Sequence, residues 1–406
     1  MWYQLKKRIS SPGILLIIIG FAFSCRPERN NLELTKFLID SIQSQAISDS
    51  RIEVFSIKAS YSGNGILLKG KTTNSEALAR LEAQLKVQQV EFTDSIIRLP
   101  DPALGEKTWG LVTVSVASLR STPANSAELA TQALMGTPVK VLQEENGWLL
   151  VQTPDTYIAW TQASGIVKLS KPELAKWKAS ERLIYLADNG LIINYADKGS
   201  LPVSDIVTGA ILTADDSRKG GSSYTPVQLP DGRKGLVSSP DCTNFKSWSE
   251  QVSADSLALV KSAFNLMGRP YLWGGTSIKS FDCSGFTKCI YLTGGLILSR
   301  DASQQVLQGS EIPPEAIWKG LKSGDLLFFG RKATEESSEG VSHVGMYIGD
   351  SEFIHCSVSA GMVAVYSLDS TRTNFRSYYR TNLLHVKRII DSQSMPVSFK
   401  SHPWYN

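Results

Sequence analysis

"FDCSGFTK", residues 281–288, sets one cysteine between an aspartate and a serine in a 406-residue chain with five cysteines. Cys283 is either a buried thiol filling space or a nucleophile, and the fold of the C-terminal half turns on which. Asp282 is a residue type that caps a helix. Phe286 and Ile290 follow at helical spacing, and Gly294-Gly295 is a good stop, so a helix is expected to begin at Cys283. A thiol in the first turn would face unpaired N–H groups and the positive end of the helix dipole. Both favour the thiolate, which is the reactive form, so a lowered thiol pKa is expected.

A nucleophilic cysteine also needs a base, and the chain has four histidines. "GDLLFFG" (324–330), "SHVGMYIG" (342–349) and "EFIHCSV" (352–358) read as antiparallel strands after the helix, an α+β plan. Alternation puts His343, Gly345 and Tyr347 on one face of their strand and Phe353, His355 and Ser357 on one face of the next. A hairpin centred on Gly349 would make His343 and His355 direct cross-strand neighbours, the first as base and the second as its orienter. A zinc site from His343, His355 and Cys356 is disfavoured, because adjacent strand positions face opposite ways. His385 and His402 lie in a basic C-terminal tail that reads as irregular.

Upstream, "SADSLALVKSAFNLMG" (253–268) reads as a helix capped by Ser253 or Asp255, with Leu257, Val260, Phe264 and Met267 on one side. Residues 26–100 read as a small α+β region. It has a helix around 34–47, a hairpin about Gly63-Asn64-Gly65, and a helix over 74–87 with Ala77, Leu78, Leu81 and Leu85 in register. Residues 101–171 hold short strands at even spacing broken by Pro, Asn-Gly and Asp, the pattern of a small β-barrel, and 172–245 hold a more degenerate second copy.

"YLWGGTSIKSFDCSGF", "GDLLFF" and "SHVGMYIGDSEFIHCS", in that order, resemble the NlpC/P60 family of cell-wall cysteine peptidases, which have a papain-like fold. The resemblance covers about 255–385 within an expected domain of 250–390. "LRSTP", "GTPVKVL" and "GWLLVQ" are similar to bacterial SH3 domains, the usual companions. The resemblance implies that Cys283 is the nucleophile, His343 the base and His355 the third polar residue. It sets Tyr271 beside the developing oxyanion. Of the neighbouring residues grouped with the substrate site, Trp273 either lines the pocket or packs under the Gly274-Gly275 turn, and Ser284 is expected to help the helix turn rather than react. It implies hydrolysis of peptidoglycan stem peptides at the γ-D-glutamyl–diamino acid bond. "SRDASQQ" (299–305) is similar to a subgroup with paired SH3 domains in which an aspartate, here Asp301, pairs with a free N-terminal L-Ala amine. In that subgroup the first SH3 domain adds a Glu and a Tyr, which "SAELATQ" and "DTYIAW" identify as Glu128 and Tyr157.

Composition agrees with an ordinary folded protein, at 42% hydrophobic and 20% charged residues. Net charge is +4, and Lys6, Lys7 and Arg8 account for most of it. No basic stripe interleaved with aromatics is present, so nucleic acid is not expected as a partner. "LKKR" followed by "GILLIIIGFAF" (13–23) and Ser24-Cys25 describes an export signal. It resembles a lipobox over 1–25, with Phe23 and Ala22 as departures, which implies lipidation of Cys25 and a membrane-anchored protein facing the periplasm or envelope. The remaining thiols, Cys242, Cys283, Cys289 and Cys356, are too few for a disulfide scaffold. No metal or organic cofactor is required, and a monomer is expected. The alternatives are an amidase or murein hydrolase acting on intact wall, and a non-catalytic wall-binding lipoprotein.

Overall fold

The structure is a computed structural model and describes residues 27–63, 65–194, 201–217, 221, 223–313 and 320–406. The expected export signal with Cys25 lies outside these residues, as does Asn64 of the expected hairpin turn. Among the described residues no helix is long and apolar enough to cross a membrane.

The described chain divides into two compact units. The smaller comprises 27–46, 57–70 and 76–96. It is built from α1 (Pro27–Ala46), β1 (Phe55–Ser62), β2 (Gly65–Thr72), α2 (Ser75–Val87) and β3 (Phe92–Arg98), the strands forming one sheet in the order β1-β2-β3. Helix α2 buries Ala77, Leu78, Leu81 and Leu85, the stripe its spacing predicts. Helix α1 begins well before the expected residue 34 and buries Ile39 and Ile42.

The larger unit holds 47–56, 71–75 and 97–406. Its first sheet has seven antiparallel strands: β4 (Trp109–Val112), β5 (Val116–Arg120), β6 (Leu129–Leu134), β7 (Pro138–Glu145), β8 (Trp148–Gln152), β9 (Ile158–Gln162) and β10 (Ile166–Leu169), ordered β10-β4-β7-β8-β9-β5-β6. Val112, Leu119, Val141 and Val151 are among its core residues. Helix α3 (Lys171–Ala179), opened by a Ser170/Glu173 capping box, leads to the second sheet. Strands β11 (Arg182–Tyr185), β12 (Asn189–Ile193), β13 (Pro202–Val207), β14 (Ile211–Ala214), β15 (Tyr224–Gln228), β16 (Lys234–Ser238) and β17 (Cys242–Asn244) run in the order β13-β12-β16-β15-β14-β11-β17.

The C-terminal part starts with α4 (Phe245–Gln251) and α5 (Ser256–Phe264), the latter capped by Asp255 accepting from the Ala258 N–H. The buried side of α5 carries Leu259 and Ala263, while Leu257, Phe264 and Met267 are exposed, which corrects the expected stripe. Apolar residues occur on both sides of this helix, so periodicity allowed either face; packing of Leu259 against Gly294 selects one. After the short β18 (Thr276–Ser277) and β19 (Ser280–Phe281) comes α6 (Cys283–Thr293), then α7 (Ala302–Gln305). The sheet combines β20 (Ser310–Glu311), β21 (Leu326–Arg331), β22 (Gly340–Gly349), β23 (Glu352–Ser357), β24 (Met362–Ser367) and β25 (Leu383–Arg388) in the order β20-β25-β21-β22-β23-β24, all antiparallel. His385 therefore belongs to a central strand rather than an irregular tail. It pairs with Glu311 and Glu339. The last residues pack too: Phe399 and Tyr405 join Phe245 and Trp177 in one cluster.

Candidate active site

Helix α6 begins at Cys283, with Asp282 as cap. The Asp282 Oδ1 accepts the Gly285 N–H at 2.7 Å, and its Oδ2 accepts the Gly274 N–H at 3.0 Å. Two turns of chain are thereby tied to one carboxylate. That carboxylate is almost fully buried, and it is neutralised by Arg300, itself 2% exposed. Arg300 Nη1 reaches Asp282 Oδ1 at 3.2 Å and Ser284 Oγ at 2.9 Å, and its Nε donates to the Ala130 carbonyl of the first sheet. A buried carboxylate without such a partner would be strongly unfavourable. Ser284 is part of this network, buried and not among the residues that line the cavity. Cys289 lies in the core, as its position six residues on implies.

The two histidines meet, but not by the expected register. Strands β22 and β23 pair Met346 with Ile354 and Tyr347 with Phe353, with a bulge before Gly349. Continuing that register sets His355 opposite Gly345 and places His343 on the diagonal. A side chain at 345 would meet the His355 Cβ at 3.1 Å, so glycine leaves room for the ring. The diagonal suffices: His343 Nε2 lies 2.8 Å from His355 Nδ1. His355 is fully buried among the rings of Phe353, Tyr366 and Tyr379, and its Nε2 has no hydrogen-bond partner among the described residues. Cys356 faces the other way, its thiol against the Phe281 carbonyl, which separates it from the histidines.

Cys283 and His343 line one cavity of about 620 Å³, a volume suited to a short peptide. Tyr271, Trp273, Asp301, Glu128 and Tyr157 line it as well. The Trp273 indole donates to Glu128 at 2.6 Å, and the Tyr157 phenol, buried in the first sheet's core, interacts with Asp301. The first sheet is held to this site by reciprocal bonds between Gln132 and Thr276 and by the buried pair Lys288–Asp155 at 2.6 Å.

Protonation differs from the expectation of a lowered thiol pKa. Burial, then the adjacent Asp282 charge, push the Cys283 thiol up to about 12; the Val344 and Ser284 N–H groups and Arg300 oppose this without reversing it. Burial also holds the His343 imidazole down at about 4, with Asp282 pulling the other way. The helix start is outweighed by desolvation, so the resting pair is a neutral thiol and a neutral imidazole. His355 is likewise lowered by burial and then by His343.

Two arginines complete the site and were not legible in the sequence. Arg300 sits beside Asp301, but its role depends on Asp282, eighteen residues away. Arg51 comes from the segment 47–56. Its Nη1 donates to Asp301 Oδ2 at 2.8 Å and to Ser303 Oγ at 2.9 Å. A separation of 250 residues leaves no local signal for that contact.

The NlpC/P60 family profile matches residues 268–388, and the bacterial dipeptidyl-peptidase Sh3 domain profile matches 119–166. The chain is 28% identical over 282 residues to dipeptidyl-peptidase 6 of Lysinibacillus sphaericus, spanning 68% of this chain and 97% of that protein. A crystal structure of an NlpC/P60 family protein from Bacillus cereus superposes with a TM-score of 0.58 at 23% identity, covering 69% of this chain and 99% of that one. To the gamma-D-glutamyl-L-lysine dipeptidyl-peptidase of Bacillus cereus it is 32% identical over 257 residues, spanning 61% of this chain and 72% of that enzyme. At that identity over that much of a relative the likeness extends past the fold, and this chain belongs to the NlpC/P60 family, a multidomain cysteine peptidase with an SH3-like β-rich region ahead of its catalytic domain.

Proposed function

We propose that this peptidase is a peptidoglycan endopeptidase that hydrolyses the γ-D-glutamyl–diamino acid bond of stem peptides carrying a free N-terminal L-Ala. The observation that supports it best is the shared cavity. The first SH3-like sheet brings Glu128 and Tyr157 beside Asp301, in the same space as Cys283 and His343. Two carboxylates and a phenol suit an ammonium group. An acylated nitrogen carries no charge, so it would forfeit the charge-assisted bonds that an ammonium makes to these carboxylates, which is the kind of mismatch that gives discrimination. The named activities of the two curated relatives point the same way.

In this reading His343 Nδ1 takes the Cys283 proton as the sulfur attacks the γ-carbonyl. That role requires Nδ1 to be unprotonated, so Nε2–H donates to His355 Nδ1, and the His355 proton sits on Nε2 among the aromatic rings. His355 is then a positioning residue that fixes the tautomer of the base. The tetrahedral oxyanion faces the Tyr271 hydroxyl. Collapse expels the diamino acid's amine, which takes the proton back from His343. Water then hydrolyses the thioester with the same base, restoring thiol and free γ-carboxyl. The protein is proposed to act outside the cytoplasm as a monomer, held at a membrane through a lipid on Cys25.

The test is mass spectrometry of L-Ala-γ-D-Glu-diaminopimelate and its L-lysine counterpart, each with and without N-acetylation, against a Cys283→Ala control. Release of the diamino acid from the free peptides alone, abolished in the control, is the expected outcome. Equal cutting of acetylated peptides would remove the amine rule. An unchanged control would remove Cys283 as nucleophile.

A further inference from the structure

The amine rule proposed above leaves open what lies beyond the nitrogen. The segment 47–56 supplies an answer. We infer that Arg51 is a specificity-determining residue of this site, forming the wall behind Asp301 that admits an ammonium group and excludes an acylated nitrogen. The inference rests on the proposed amine recognition and assigns a further residue to it.

Arg51 lines the same cavity as Asp301, Tyr157 and Glu128. Its guanidinium spans two carboxylates. Nε and Nη2 grip Asp49 at 2.8 Å each, while Nη1 reaches Asp301 Oδ2 at 2.8 Å and Ser303 Oγ at 2.9 Å. Asp49 is itself held by Gln304 Nε2 at 2.7 Å, and the Arg51 carbonyl accepts the Ile158 N–H at 2.7 Å. Only one of the four guanidinium bonds goes to Asp301. A cation merely filling the amine's place would depend on that one carboxylate; Arg51 is anchored by Asp49, Ser303 and the edge of the first sheet independently of it. The geometry is therefore that of a fixed wall.

Two consequences follow for a ligand. Arg51 occupies Asp301 Oδ2, and Oδ1 lies 3.8 Å from Arg300 Nη1, so a substrate ammonium would share this carboxylate with two guanidinium groups and the Tyr157 phenol. An acyl group on that nitrogen adds a carbonyl and a carbon beyond it, and the Arg51 guanidinium, lining the cavity beside Asp301, takes up room they would need. A stem still joined to glycan is acylated at this same nitrogen, so the wall would reject intact wall and accept released peptides.

The experiment compares kcat/KM for free and N-acetylated L-Ala-γ-D-Glu-L-Lys in the full chain and in its Arg51→Met and Arg51→Lys variants. The free-to-acetylated ratio is expected to fall at least tenfold in Arg51→Met, through a rise for the acetylated peptide. Arg51→Lys keeps the charge but cannot bridge both carboxylates, and its ratio should fall by less. Calorimetry with the acetylated peptide supplies a readout without turnover. Cys283→Ala/Arg51→Met should bind it at least tenfold more tightly than Cys283→Ala. Ratios within twofold of the parent protein in both variants would overturn the wall, as would a fall that comes entirely from the free peptide. A parent protein that cuts both peptides equally would instead overturn the amine rule itself, and the wall with it.

Discussion

Protonation of two side chains governs how this site works. With His343 held at about 4 and Cys283 near 12, the free enzyme needs a neutral imidazole and keeps a neutral thiol between those values. Protonating His343 removes the base, so the acid limb of kcat/KM is expected well below pH 6.5, toward pH 4. Alkylation of Cys283 by iodoacetamide in the free enzyme should be slow at neutral pH and climb only in strong alkali. A pH–rate profile with its acid limb at or above 6.5, or fast labelling at pH 7, would show a thiolate–imidazolium pair instead. Folding carries the same signature. The His343 pKa is lower folded than unfolded, so its contribution is full above pH 6.5 and is lost as pH falls from 6.5 toward 4. Urea titrations across that window, compared with a His343→Gln variant, measure the difference.

At the scale of elements, the start of α6 is set by close approach. A Cβ at Gly285 would stand 1.9 Å from the Gly275 carbonyl oxygen, a backbone atom that cannot swing aside. Gly285→Ala must push the first turn of α6 away and carry Cys283 with it. Overpacking of this kind costs about 1–3 kcal/mol, and a shift of roughly 1 Å at a reacting group can lower the rate about 100-fold. The expected result is a loss in kcat of that order with a smaller stability loss, read by kinetics beside thermal denaturation. The cap, the helix length and its stop at Gly294 were legible from Asp282 and the spacing of Phe286 and Ile290, because these are local devices. The α5 face was not, because two apolar stripes competed and only its neighbours chose. Strand β25 was missed for a related reason: its hydrophobic pattern in "LLHVKR" is short, and its identity comes from pairing with β21.

For the molecule as a whole, the joint between the first SH3-like sheet and α6 matters most. Asp155 and Lys288 are both largely buried there, and Lys288 also donates to the Leu298 carbonyl at 2.8 Å. Burial raises the Asp155 carboxyl, but the Lys288 ammonium and the Thr153 hydroxyl outweigh it and hold it below the usual range. Removing one partner leaves an uncompensated buried charge, so Lys288→Met should destabilise by about 3–5 kcal/mol, and adding Asp155→Leu should recover much of that. Chemical denaturation of the single and double variants decides it. If Lys288→Met were neutral, the Gln132–Thr276 and Arg300–Ala130 bonds and apolar packing would hold the joint without the ion pair. The same joint places Glu128 and Tyr157 at the cavity, so the loosened single variant is also expected to raise KM for free peptide more than it lowers kcat.

The sequence by itself determined the local chemistry of this protein: a capped helix opening on Cys283, two imidazoles on one face of neighbouring strands, and β-rich modules ahead of them. Such features depend on residue type at short spacing, where caps, alternation and turn residues act directly on the backbone. Only the tertiary structure decided the rest. The bulge before Gly349 moved the two histidines to a diagonal contact. Enclosure of Cys283 overrode the helix dipole, since desolvation depends on what covers a group rather than on its neighbours in the chain. Arg300 and Arg51 found their carboxylates across 18 and 250 residues, because burying a charge demands a partner and folding alone determines which one is within reach.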